Sequence, residues 1–179
     1  MRTVGIICEF NPLHSGHAYL MAQLRQKGAE AIVCAMSGNF VQRGEPALVH
    51  KLARAEMAVD CGADLVLELP TPWAMATAET FAMGGVQLLH MAGCSHIAFG
   101  SECGDAALLQ KTADILLLPR FQADILAELA SGVTYAAARQ RAAERYQSHS
   151  AAVLSRPNDT LAVEYLKACR RLGVDMTPM

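Results

Sequence analysis

Val4-Gly5-Ile6-Ile7-Cys8 runs directly into Glu9-Phe10-Asn11-Pro12-Leu13-His14-Ser15-Gly16-His17, and this join decides the fold. The first run is apolar and too short for a buried helix, which reads as a buried strand. A turn follows, then a helical pattern from roughly His17 to Lys27 that stops at Gly28, a residue favoured where helices end. Three more short apolar runs read as strands: Ala31 to Ala35, Leu65 to Leu69 and His96 to Phe99. Between them lie helical patterns from Pro46 to Cys61 and from Trp73 to Met91, with Pro46 suited to a first helical turn and Gly62 to a helix end. Short apolar strands alternating with helices predict an α/β fold, a parallel sheet wrapped by helices with right-handed crossovers.

The character changes after Gly100. Asp105 to Leu118, Arg120 to Ala130, Thr134 to Gln147 and Thr160 to Leu172 all read as helix, and Ser148 to Pro157 as a loop. No run after Phe99 reads as a strand. The expected organisation is an alternating strand-and-helix core over 1–104 and a mainly helical extension over 105–179.

Composition narrows the classes of function. The chain has 179 residues, 53% of them hydrophobic and only 18% charged, with a net charge of −2. Such apolar content at low net charge excludes disorder. The longest apolar runs fall far short of the ~20 residues a bilayer needs, so no membrane partner is expected. The small net charge is a cancellation: residues 1–54 carry +3, residues 55–138 carry −8 and residues 139–179 carry +3. The basic ends read either as solvated helix faces or as two surfaces converging on a polyanion. The six cysteines make no Cys-x-x-Cys pair and no zinc-finger spacing, and no apolar signal region opens the chain. The reading is a reduced, cytoplasmic protein; its oligomeric state is not legible.

The turn after the first strand carries the chemistry. Free N–H groups and the positive end of the helix dipole meet there, which makes an anion site. Gly16 lets a ligand approach the backbone. His14 and His17, three apart, can both face the end of the strand and donate hydrogen bonds to a phosphate as charge builds on it. The alternatives are a surface histidine in a turn and a first-turn helix residue.

From these residues onward the chain resembles the bacterial tRNA(Met) cytidine acetate ligases, nucleotidylyltransferase-like enzymes with an H-x-G-H signature. The likeness continues in order through Met36-Ser37-Gly38-Asn39-Phe40-Val41-Gln42-Arg43-Gly44-Glu45-Pro46-Ala47 and Asp64-Leu65-Val66-Leu67-Glu68-Leu69-Pro70. It extends through Ala78-Glu79-Thr80-Phe81-Ala82 with Gly85, then Phe99-Gly100-Ser101-Glu102 and Pro157-Asn158-Asp159. The resemblance implies a Rossmann-like core of the H-x-G-H type. It also implies activation of acetate by ATP as acetyl-adenylate, then acetyl transfer to N4 of the wobble cytidine of elongator tRNA(Met).

Carried over by position, Ile7, Cys8, Glu9, Phe10, Asn11, Pro12, Leu13, His14, Ser15, Gly16, His17 and Leu20 would contact ATP, together with Gly100 and Asn158. His14 and His17 would be the catalytic pair. An Asn before a helix is equally an ordinary cap. Ser37, Gly38 and Asn39 are expected to border the acetate or cytidine pocket, or else form a turn leading into a helix. Arg43, Lys51 and Arg54 are candidates to bind tRNA phosphate or neutralise the leaving pyrophosphate, and Arg139, Arg141, Arg145, Arg170 and Arg171 are candidate contacts to the tRNA backbone. Solvated faces are the alternative for each. Glu79, in an apolar stretch, needs a partner if buried. Mg²⁺ is expected to accompany ATP, with no metal site built by the protein.

Family members are longer, and continue past the last helix into a basic strand-and-loop block. The fifth strand is therefore expected to be missing here. Two competing functions stand beside the acetate ligase: an adenylyltransferase acting on a phosphorylated small molecule, and an ATP-binding module without turnover.

Overall fold

The computed structural model describes residues 1–179, apart from the side chain of Arg43. It separates into two compact units, Met1–Phe99 with Ala168–Met179, and Gly100–Lys167.

The first unit holds the sheet. Strands β1 (Thr3–Cys8), β2 (Ala31–Ser37), β3 (Leu65–Leu69), β4 (His96–Ala98) and β5 (Thr177–Pro178) lie in the order β3-β2-β1-β4-β5, all parallel. The first four match the predicted runs within two residues at each end. Central β1 and β2 are buried along almost their whole length, as strands covered on both faces must be.

Helices α1 (Ser15–Gln26) and α2 (Lys51–Asp60) follow β1 and β2. On one face of the sheet Val4, Ile6, Cys8, Ile32, Cys34 and Met36 pack with Met21, Leu24 and Ala58 from these helices. Gly28 and Gly62 follow the two helices at φ +89° and +112°, a region that costs glycine nothing. A short α3 (Thr71–Ala74) precedes α4 (Ala78–Met91), whose Phe81, Ala82, Val86 and Leu89 are buried.

Four expectations need correction. Pro46 does not open a helix. It pairs in an isolated bridge with Phe40, and α2 starts only after His50, whose Nδ1 accepts the Leu52 N–H at 3.3 Å. The single helix expected from Trp73 to Met91 is two, because Thr77 caps a new one through the Thr80 N–H. The segment Ser148–Pro157 contains a helix, α8 (Ser150–Leu154), rather than a loop throughout. The fifth strand is present: Thr177 and Pro178 register with His96 and Ile97 of β4. The Thr177 N–H reaches the Ser95 carbonyl at 3.1 Å and the Met179 N–H the Ile97 carbonyl at 2.9 Å.

The second unit is helical. It comprises α5 (Ala106–Leu116), α6 (Phe121–Leu129), α7 (Tyr135–Glu144), α8 and the first part of α9 (Pro157–Leu172). Ala138, Ala142 and Ala143 of α7 are fully buried, so the alanine richness of the sequence serves close helix packing. Its arginines are paired. Arg139 meets Glu164, Arg145 and Arg141 meet Glu128, and Lys167 meets Glu164 at 2.7 Å.

Candidate nucleotide site

β1 ends where Phe10 takes a left-handed φ of +47°, and the Asn11-Pro12 peptide is cis. The chain then enters α1 with His14 as its N-cap. The Nδ1 of His14 accepts the Gly16 N–H at 3.2 Å, and the Nδ1 of His17 accepts the His14 N–H at 3.3 Å. This is a capping box built from two histidines instead of Ser and Glu. The rings stack, with centroids 3.7 Å apart at 24°, and Phe10 packs edge-on against His17 at 4.9 Å.

This geometry fixes the chemistry of the pair. A neutral imidazole that accepts at Nδ1 carries its proton on Nε2. Each ring is therefore left with one N–H donor at the α1 N-terminus, the positive end of the helix dipole. Burial, and then the neighbouring His14, push the His17 pKa below its usual value, favouring this neutral donor form. A pair of N–H donors at a helix N-terminus suits a phosphate.

Other residues of the first signature hold the second signature in place. Glu9 accepts the Gln42 N–H through Oε1 at 2.7 Å, and Asn11 accepts the Leu48 N–H through Oδ1 at 2.7 Å. Arg54 completes the framework, and here the structure gives a residue a different task from the expected tRNA contact. Its side chain is 0% exposed. Its Nε donates to the Val49 carbonyl at 2.9 Å, and its two terminal nitrogens to the carbonyls of Glu9 and Gly38. It ties the end of β1 to the end of β2 and offers nothing to a phosphate outside. Burial pulls its pKa down, opposed by Cys8, Glu9 and Glu68.

The remaining candidates fall as follows. Ser37 is buried at the end of β2 and the Asn39 carbonyl accepts the Ala47 N–H at 2.9 Å. Lys51 is paired with Glu68, its Nζ 2.9 and 2.7 Å from the two carboxylate oxygens. The side chain of Arg43 lies outside the described residues. Glu79 is partly exposed and pairs with Arg171.

Gly100 and Asn158 belong to the second unit, where a reciprocal clamp brings their segments together. The Glu102 carboxylate accepts the Asn158 and Asp159 N–H groups at 3.1 and 2.8 Å, capping α9. The Asp159 carboxylate accepts the Ser101 hydroxyl at 2.6 Å and the Glu102 and Cys103 N–H groups at 2.9 and 3.2 Å. Burial alone would raise the Asp159 pKa, but these donors outweigh it and hold it below the usual carboxylate value. Asn158 thus sits inside the first turn rather than capping it. At Gly100 a Cβ would meet nothing within 4 Å, so neither fold nor packing demands glycine there. Arg54, Glu102 and Asp159 were missed as candidates for supporting roles. Their only sequence signal was their place inside or beside the signatures.

All six cysteines are free. Among the described residues no three His, Cys, Asp or Glu side chains gather as metal ligands, and no helix is long and apolar enough to cross a membrane.

Comparison with known proteins agrees with this architecture. The tRNA(Met) cytidine acetate ligase of Acetivibrio thermocellus is 45% identical over 186 residues, covering 100% of this chain and 45% of that protein. The protein of the same name from Syntrophotalea carbinolica is 46% identical, covering 99% and 44%. The crystal structure of Thermotoga maritima TmcAL bound with alpha-thio ATP superposes with a TM-score of 0.93 at 37% identity, covering 99% of this chain and 45% of that one. The chain spans a little under half the length of these relatives. The family model described as HIGH Nucleotidyl Transferase matches residues 1–179 from end to end, so the chain belongs to the HIGH nucleotidyl transferase family.

Proposed function

We propose that this chain forms the nucleotide-binding and adenylate-forming part of a tRNA(Met) cytidine acetate ligase. ATP binds with its phosphates at the N-terminus of α1. Acetate attacks the α-phosphate, an acetyl–phosphate bond forms, and pyrophosphate leaves. The N4 amine of the wobble cytidine of elongator tRNA(Met) then attacks the acetyl carbonyl, the bond from that carbon to the phosphate oxygen breaks, AMP leaves, and the amine gives up a proton. The observation that carries this reading is the capped histidine pair, whose two Nε2–H donors suit the charge that grows on the α-phosphate. The ATP analogue in the Thermotoga maritima structure supports nucleotide binding on this fold.

Gly100 and Asn158 are proposed as nucleotide contacts on the family resemblance alone, and within the second unit the Glu102–Asp159 clamp brings their segments together. A magnesium ion arriving with ATP would be held by its phosphates. The acetate ligase reading outranks an adenylyltransferase for a phosphorylated acceptor because the relatives matched along the whole of this chain are named tRNA(Met) cytidine acetate ligase. The test is acetate-dependent exchange of labelled pyrophosphate into ATP. Exchange that needs acetate and is lost in His14→Ala supports the reading; exchange indifferent to acetate refutes it.

A further inference from the structure

Three strand ends lie side by side at the carboxyl edge of the sheet, where open α/β sheets bind their ligands. β1 leads into the histidine pair. β2 ends at Ser37, followed by Gly38. β3 carries Glu68, in register with Met36. At ~4.8 Å between strands, Glu68 lies about 10 Å across the edge from Cys8, the last residue of β1. Beside Gly38 a cavity of about 100 Å³ opens, with Met36, Ala55 and Val66 among its apolar walls and Lys51 and Glu68 as its charged ones.

The backbone keeps room for that carboxylate. A Cβ on Gly38 would lie 2.2 Å from the Glu68 Oε1, so the absence of a side chain is what lets the carboxylate sit there. The Gly38 carbonyl is itself anchored by Arg54. The ion pair is not saturated. An ammonium has three N–H donors, and Lys51 uses two; a carboxylate has about four acceptor sites, and Glu68 uses two. One donor and spare acceptor sites remain side by side at a small apolar cavity.

We propose that the Lys51–Glu68 pair recognises the Watson–Crick edge of a cytosine base. The inference rests on the acetate-ligase reading, in which a cytidine amine is the acetyl acceptor. The ring lies in the apolar cavity, the exocyclic amine donates to Glu68, and Lys51 donates to N3. A carboxylate is the side chain suited to accept from the cytosine N4 amine. Uracil has no donor at position 4 and meets Glu68 only if the ring slides by one position. This assigns Lys51 to the base of the tRNA and not to its phosphates.

The experiment is titration of the isotope-labelled chain with cytidine 5′-monophosphate and uridine 5′-monophosphate, following backbone amide resonances. The cytidine nucleotide is expected to shift Gly38, Lys51 and Glu68 with an affinity about tenfold above that of the uridine nucleotide. In Glu68→Gln the amide can turn to donate or accept, and the preference is expected to fall to within about twofold. Gly38→Ala, which displaces the carboxylate without removing its charge, should weaken cytidine binding by a similar factor while the dispersion of the spectrum reports an intact fold. Equal affinity for the two nucleotides, shifts confined to other residues, or no saturable shift of Gly38 up to ~10 mM nucleotide would overturn the proposal. So would acetate shifting the same amides more tightly than the cytidine nucleotide. Loss of acetate-dependent exchange with the cytidine preference intact would refute the acetate reading instead.

Discussion

Replacing Arg54 by methionine tests the framework most directly. Methionine keeps the length and apolar stem of the side chain but removes every donor. Three carbonyls, of Val49, Glu9 and Gly38, then lose their partner. An unsatisfied buried acceptor costs ~1–3 kcal/mol. Water can rescue part of this at the strand ends, so the expected loss is about 3–5 kcal/mol, the range seen when one member of a buried polar pair is removed. For a chain of this size each kcal/mol lowers the melting midpoint by ~2–4 °C. The variant should therefore melt about 6–20 °C below the parent, followed by circular dichroism. Arg54→Lys should fall little short of that loss, because one ammonium cannot span three carbonyls that the guanidinium fork reaches. A melting midpoint within about 2 °C of the parent, with weakened tRNA binding, would refute the reasoning and return Arg54 to the surface role its sequence position suggested.

Other consequences follow from the same geometry. Because the His17 pKa is depressed in the fold, the unfolded chain takes up the proton first. The stability contributed by neutral His17 is complete above the unfolded value near 6.5 and is lost as pH falls through the lower folded value. Unfolding free energy measured in urea between pH 7 and 5 should fall, and His17→Gln should flatten that part of the profile. Glu102→Ala uncaps α9 and should cost about 1–2 kcal/mol, read as a lower melting midpoint; an unchanged midpoint would show that the clamp is ornamental. Cys8, Cys34, Cys94 and Cys169 are buried, and burial pushes the Cys94 and Cys169 pKa values up to about 11. A thiol reagent at neutral pH should label Cys61 and Cys103 rapidly and the other four only on unfolding.

The sheet was legible because its strands announce themselves locally. Ala31 to Ala35 and Leu65 to Leu69 are apolar, short and bounded, and no tertiary contact is needed to recognise them. The histidine turn was legible for the same reason: strand, turn and helix start are contiguous. The failures share the opposite character. The two-residue β5 has a partner some eighty residues upstream, and its proline gives no propensity for strand. Pro46 suits a helix start, but Glu9 and Asn11 pin the surrounding loop from over thirty residues away. Arg54 looked like one of several exposed cations because its partners are backbone carbonyls, which leave no residue-type signal. The basic C-terminal segment also changed meaning, since Arg139, Arg141, Arg145 and Arg171 all face carboxylates of this chain.

The double-histidine cap makes helix initiation and chemical readiness one event. If the first turn of α1 frays, both Nδ1 atoms lose their N–H partners together, and each ring becomes free to move its proton to the other nitrogen. Amide exchange at Gly16 and His14, the two N–H groups that hold the rings, then measures the fraction of molecules competent to meet a phosphate. Any substitution that stabilises the start of this helix, however far from the ligand, should raise that fraction, and any that loosens it should lower it.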